Sequence, residues 1–347
     1  MEILLSIIAM LAGLVLLVKG SDIFVDAGSN IGRIFKISEI IIGLTFVCVG
    51  TSLPELLLSV TASLDNNAEF VIGNIVGTNI FNMCCILGMI CLMHPLKLLR
   101  ETVRKDMKMS LLSSIILTVI LMDTFGTDLK YNVISRTDGI ILLMFFAVFM
   151  YYTLYEFGEY LRDRKEKKQK ERQEKIARGE PVPEEKKEER VFTMKDVKAF
   201  LKNLIIGIVG ATMVYFGAEL AVNSAVHIAE FFKVSQTFIS IAIIAVGTSL
   251  PEISTSIAAI KKNRINIAIG NLIGSNMFNT LFVLGCASLT NPIKLTETSL
   301  FIDCFVFILV CLVMVLFTKR KIEISRAEGL TLISIYIVYI SYVIFRR

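Results

Sequence analysis

The stretch VGTSLPE occupies Val49–Glu55, and it returns letter for letter at Val246–Glu252. Each copy lies inside a long apolar run, where a carboxylate is costly and a proline removes a helix hydrogen bond. The register that lays Val49 on Val246 aligns the rest of the chain without a gap. KGSDIFVDAGSNIGRIFKIS (Lys19–Ser38) faces FGAELAVNSAVHIAEFFKVS (Phe216–Ser235), and NNAEFVIGNIVGTNIFN (Asn66–Asn82) faces NRINIAIGNLIGSNMFN (Asn263–Asn279). HPLK meets NPIK, and Asp106 meets Asp303. The chain is therefore two copies of one unit.

Composition says where that unit resides. Of 347 residues, 54% are hydrophobic, and the mean hydropathy is +0.69. Runs of about 18 or more apolar residues read as membrane spans, and about ten are present, so the fold class is an all-α, polytopic membrane protein. The first run lacks a basic leader and a cleavage site, and reads as a retained span. Five spans per half is an odd number, so the second half enters the membrane from the opposite side: an inverted repeat. We expect a first five-helix repeat at 1–160, a charged loop at 161–197 and a second repeat at 198–347. Placing the loop in the cytoplasm puts Arg33, Lys36, Lys97–Lys108, Lys261–Arg264 and Lys319–Arg326 on the same side, as the positive-inside rule requires. Both termini then face outward in the cell membrane; Arg346 and Arg347 count mildly against it. Arg162–Arg190, charged at most positions, is too polar to fold on a core of its own, although its first half suits a helix extending into water.

The spacing around the repeated motif is that of an oxygen cage. Thr51, Ser52 and Ser59 fall three or four residues from Glu55, on one helix face; Thr248, Ser249 and Ser256 stand likewise to Glu252. Pro54 and Pro251 predict kinks near Gly50 and Gly247 that free backbone carbonyls. In the next span Asn74, Thr78 and Asn82 share a face, matched by Asn271, Ser275 and Asn279, while Gly73, Gly77, Gly270 and Gly274 allow close helix approach. Asn74, Asn271, Asn79 and Asn276 serve equally well as packing residues. Glu55 and Glu252 do not, because a carboxylate at the bilayer centre costs about 2.5–3.5 kcal/mol on insertion scales. No Lys or Arg lies in the central part of these spans to pair with them, so an exchangeable cation is the natural counter-charge. Carboxylate, hydroxyl, amide and carbonyl oxygens favour Ca²⁺, Na⁺ or Mn²⁺ over Zn²⁺ or Cu⁺.

At these residues the chain resembles the cation/calcium antiporter family, particularly its prokaryotic sodium/calcium exchanger branch. The resemblance rests on the paired GTSLPE blocks and on GNIVGTNIFN and GNLIGSNMFN, and it extends over nearly the whole chain. It implies ten spans, with long first and sixth helices (about 2–32 and 199–231) sliding against a fixed core. It implies that Thr51, Glu55, Thr248 and Glu252 serve Ca²⁺, and that Ser52, Thr78, Asn82, Ser249, Ser275 and Asn279 help form Na⁺ sites. The implied activity is Na⁺/Ca²⁺ exchange by alternating access. Thr78 stands where the family usually has serine, and keeps the hydroxyl. Asn279 stands where several relatives carry an Asp tied, in one branch, to K⁺ transport, so K⁺ dependence is not expected. A proton/calcium antiporter of the same fold, or a K⁺-dependent Na⁺/Ca²⁺ antiporter, is the alternative, and a cation channel a more remote one.

Other chemistries find little support. There is no nucleophile–base pair, HExxH or phosphate-binding loop, so no enzyme is expected. The seven cysteines (Cys48, Cys84, Cys85, Cys91, Cys286, Cys304 and Cys311) all lie in apolar runs without metal-site spacing and read as packing residues. His94 and His227 are isolated. The expected partners are Ca²⁺, Na⁺ and membrane lipid, with no cofactor and no nucleic acid, and a monomer is compatible with this.

Overall fold

A computed structural model describes residues 2–93, 96–97, 102–122, 132–178, 193–233, 245–295, 299–320 and 323–345. The first half holds α1 (Glu2–Phe35), α2 (Glu39–Thr51), α3 (Leu53–Leu64), α4 (Ala68–Met93), α5 (Thr102–Leu121) and α6 (Arg136–Ala177). The second holds α7 (Met194–Phe231), α8 (Ala245–Thr248), α9 (Leu250–Lys261), α10 (Ile265–Thr290), α11 (Ser299–Arg320) and α12 (Arg326–Phe345). Among the described residues seven helices are long and apolar enough to cross a membrane, and α2 with α3, bent by 47°, makes an eighth. Of the two remaining expected spans, 108–122 falls on α5, whose first turns carry Arg104, Lys105, Asp106 and Lys108. The other, 236–260, falls on α8 and α9, and its residues 236–244 lie outside the described residues.

The duplication is visible in local backbone. Left-handed residues close α1 at Lys36 (φ 57°) and α7 at Lys233 (56°), and follow α3 at Asn66 (56°) and α9 at Asn263 (56°); these are two equivalent pairs. After three of them the chain folds back with a 2.8 Å bond: Ile37 N–H to the Gly32 carbonyl, Asn67 N–H to Ala62, and Arg264 N–H to Ala259. This is the C-terminal cap that stops a helix sharply.

Two short antiparallel ribbons join the halves. Leu96–Lys97 (β1) pairs with Glu323–Ile324 (β4), and Asn132–Ile134 (β2) pairs with Ile293–Leu295 (β3). β1 and β2 stand at opposite ends of α5, a helix of about 30 Å at 1.5 Å per residue. β1 and β3 are equivalent positions in the two repeats, yet they belong to different ribbons. That is the arrangement an inverted repeat requires.

The longest contact is between α1 and α7, which run antiparallel. A Cβ on Gly13 would lie 2.8 Å from the Gly217 carbonyl oxygen, and one on Gly20 2.9 Å from that of Gly210. Gly13 and Gly20 are the repeat equivalents of Gly210 and Gly217, so one small-residue stripe, used twice, lets the two backbones touch. The remaining helices form the core. Gly43 of α2 and Gly270 of α10 cross so closely that a Cβ on Gly43 would come within 2.8 Å of the Gly270 Cα. The expected close approach therefore holds for Gly270 and Gly274; Gly73 and Gly77 meet no neighbour among the described residues, and most of the segment equivalent to α2, residues 236–244, lies outside them.

Two expectations need adjusting. The helix breaks at Ser52 (φ −93°, ψ 9°) and Ser249 (φ −91°, ψ 4°), two residues past the glycines, because the prolines sit in the first turn of the new helices α3 and α9, where a missing N–H costs nothing. The charged segment does not begin as a loop: α6 continues through it to Ala177.

Candidate metal centre

The break delivers side chains as well as a bend. Ending α2 at Thr51 and starting α3 at Leu53 leaves Thr51, Ser52 and Glu55 within about one turn of the break, and all three are completely buried. Glu252 and Ser249 are buried equally in the second half. Each of the neighbouring spans carries a π-helical turn at the matching place, Asn82–Ile86 in α4 and Phe278–Val283 in α10. Such a turn shifts the helix register and re-aims the side chains at its start, here Asn82 and Asn279.

The halves meet through these residues. The Thr51 hydroxyl donates to the Asn271 side-chain oxygen (3.1 Å) and lies 3.4 Å from the Ser275 hydroxyl. Ser52 donates to Glu252 Oε1 across the interface (3.3 Å). Thr51, Ser52 and Ser275 thus gather around the Glu252 carboxylate, which is within electrostatic reach of Glu55. Asn82 and Asn279 engage amides of the opposite half: Asn82 Nδ2 donates to Asn276 Oδ1 (3.2 Å), and Asn279 Nδ2 lies 3.5 Å from Asn79 Oδ1. Thr78 is buried on α4. Thr248, half-buried, lines a cavity beside α8.

Several buried oxygens find no hydrogen-bond partner among the described residues: both of Glu55, Oε2 of Glu252, the Ser59, Ser249 and Ser256 hydroxyls, and Oδ1 of Asn82 and of Asn279. No ion pair reaches either glutamate among the described residues. Two carboxylates, hydroxyls and amide oxygens, without thiol or imidazole, are a hard-cation donor set. No cluster of three or more His, Cys, Asp or Glu capable of holding a metal occurs among the described residues, so the neutral oxygens must carry most of the coordination.

The two sides of this crossing differ. On one, α1 is fastened to α9: Ser21 and Ser254 share a hydrogen bond of 2.7 Å, Lys262 Nζ lies 2.7 Å from Asp26 Oδ2 and donates to the Asp22 carbonyl (2.8 Å), and Arg264 lies 3.8 Å from Asp26. On the other, between α3, α7 and α8, there is a cavity of about 410 Å³ lined by Pro54, Leu57, Thr61, Tyr215, Glu219 and Thr248 among others. The repeat equivalents of Ser21, Asp22 and Asp26 are Ala218, Glu219 and Asn223, and all three line that cavity.

Sequence reasoning left Asn79 and Asn276 open between packing and the site, and passed over Thr280. Asn79 Nδ2 donates to the Thr280 hydroxyl (2.8 Å), and Asn276 Nδ2 to the Asn79 carbonyl (3.0 Å). Repetition could have flagged the asparagines, since both recur; Thr280 faces Met83 in the other half and gave no signal.

A helical bundle that buries one carboxylate from each half among neutral oxygens, with no ion pair to either among the described residues, defines a cation-handling membrane protein. The chain belongs to the family described as sodium/calcium exchanger protein, whose profile matches residues 5–155 and 202–345. It is 30% identical to the sodium/calcium exchanger MaX1 of Methanosarcina acetivorans, over 97% of this chain and 98% of that one. It is 31% identical to the inner membrane protein YrbG of Escherichia coli K12, over 97% and 96%. The fold matches that of the sodium-calcium exchanger NCX_Mj, from crystals soaked with Na⁺ and Sr²⁺, at a TM-score of 0.77 and 29% identity, covering 98% of this chain and 99% of that one.

Proposed function

We propose that the chain is a secondary active transporter that exchanges Na⁺ for Ca²⁺ at the crossing of α2–α3 with α8–α9. The observation that carries this is the pair of buried, unpaired carboxylates Glu55 and Glu252, one from each half, with Thr51, Ser52 and Ser275 gathered at the second. Two carboxylates neutralise one Ca²⁺; the surrounding hydroxyls and amides suit Na⁺ when Ca²⁺ has left. Thr51, Glu55, Thr248 and Glu252 serve Ca²⁺, and Ser52, Thr78, Asn82, Ser249, Ser275 and Asn279 help hold Na⁺. The first repeat occupies 1–160, a cytoplasmic charged segment 161–197 and the second repeat 198–347, with both termini outside. In that orientation the Lys262 side faces the cytoplasm and the cavity faces outward, so the conformation is open to the outside. Sliding of the α1–α7 pair against the core exchanges the two faces, which is alternating access. No step calls for covalent chemistry or for a ligand besides the transported ions and lipid.

⁴⁵Ca²⁺ uptake into proteoliposomes tests this. An outward Na⁺ gradient should drive uptake without K⁺, since Asn279 offers no charge for a K⁺ site. Uptake driven by a pH gradient with Na⁺ inert would transfer the chain to the proton/calcium branch, and Ca²⁺ flux with no counter-ion would make it a channel.

A further inference from the structure

An asparagine side chain is two-faced: its oxygen attracts a cation and its NH₂ repels one. For Asn82 to help hold Na⁺, something must decide which face is presented. The hydrogen-bond chain at the interface of the halves does so. Asn276 Nδ2 donates to the main-chain carbonyl of Asn79 (3.0 Å), and a carbonyl can only accept. That fixes the turn of the Asn276 amide and leaves its Oδ1 directed at Asn82. Asn82 must then offer its NH₂, at 3.2 Å, and its own Oδ1 is the atom left without a partner among the described residues. All three asparagines are completely buried, so water does not scramble the arrangement. On the pseudo-equivalent side the constraint is looser: Asn279 approaches Asn79 Oδ1 at 3.5 Å, and Asn79 is held through the Thr280 hydroxyl, which accepts or donates.

We infer that Asn276 is a positioning residue: it turns the Asn82 amide so that oxygen, not NH₂, faces the transported Na⁺. This rests on the proposed site, in which Asn82 is a Na⁺ ligand. The requirement vanishes if residue 82 is a carboxylate, which presents oxygen whichever way it turns.

The test is a double-mutant cycle in proteoliposomes, reading the half-saturating Na⁺ and Ca²⁺ concentrations of wild type, Asn82→Asp, Asn276→Leu and the double variant. Asn82→Leu is added as a control, and thermal unfolding in detergent checks folding. Asn276→Leu should weaken Na⁺ by about tenfold, close to the worth of one hydrogen bond to an ion, and leave Ca²⁺ within about twofold. In the Asn82→Asp background the same change should cost under about twofold. Equal losses in both backgrounds, or parallel losses of Na⁺ and Ca²⁺, would make Asn276 a structural residue and overturn the inference. If Asn276→Leu does not fold, Asn276→Thr replaces it in the cycle: the shorter hydroxyl cannot span both partners, and the same coupling is expected. Unchanged Na⁺ affinity in Asn82→Leu would instead remove Asn82 from the site, a separate failure.

Discussion

At the scale of single residues, Glu55 and Glu252 are equal in sequence and unequal in setting. Glu252 already receives Ser52, whereas neither oxygen of Glu55 has a hydrogen-bond partner among the described residues. Removing one negative charge from either should nevertheless cost similar amounts, because a divalent ion at the crossing feels both. Attraction between a divalent ion and one carboxylate 4 Å away is about 2 kcal/mol even at the dielectric of water and several times that near an effective value of 20. Tenfold in affinity needs only about 1.4 kcal/mol. Glu55→Gln and Glu252→Gln should each nearly abolish ⁴⁵Ca²⁺ uptake; wild-type flux in one of them would refute a shared site. The burial of both glutamates was legible because each stands in an apolar run beside a proline, and the repeat doubles the signal. The roles of Asn79, Asn276 and Thr280 were not, because a hydrogen bond between helices of opposite halves leaves no mark on the spacing of either.

Among elements, the α1–α7 pair packs backbone against backbone at four glycines. Gly13, Gly20, Gly210 and Gly217 each face backbone atoms of the partner helix at under 3 Å from where a Cβ would stand. Backbone cannot rotate aside as a side chain can, so the helices must part. Overpacking of this kind costs about 1–3 kcal/mol. Gly217→Val should slow exchange and lower the thermal unfolding temperature; unchanged values in both would show that the pair separates freely. The glycine stripe of α1 and α7 was not read from the sequence, whereas the broken helices were, since proline announces them. The place of the break was misjudged by two residues, because glycine suggests a hinge while the proline's best position, the first turn of a new helix, sets it at Ser52 and Ser249. The continuation of α6 to Ala177 was foreseen only as an option: side chains without an apolar face give no stop signal.

At the scale of the whole molecule, inverted duplication makes the two faces copies in outline but not in charge. Lys262, which ties α9 to Asp22 and Asp26 of α1, corresponds to Asp65; Arg264 corresponds to Asn67, Asp22 to Glu219 and Asp26 to Asn223. The face that is shut brings base to acid. Were the opposite face to shut in the same way, it would bring Asp65 toward Glu219 with no base between them. In the proposed alternating cycle the two closures are therefore unequal, and the posture joined by the Lys262 pairs is the favoured one. The pairs are partly solvated, and such pairs are worth up to about 1 kcal/mol each, a few-fold in population. A cysteine placed at Asn223, on the cavity wall, should react with a membrane-impermeant thiol reagent several-fold more slowly once Lys262→Met is introduced; an unchanged rate would show that the tilt lies elsewhere. Solvated pairs also fade as electrolyte screens them. An inert salt that is never transported should then loosen the same posture, so that ionic strength sets how long the carrier rests between turnovers, apart from any gradient that drives it.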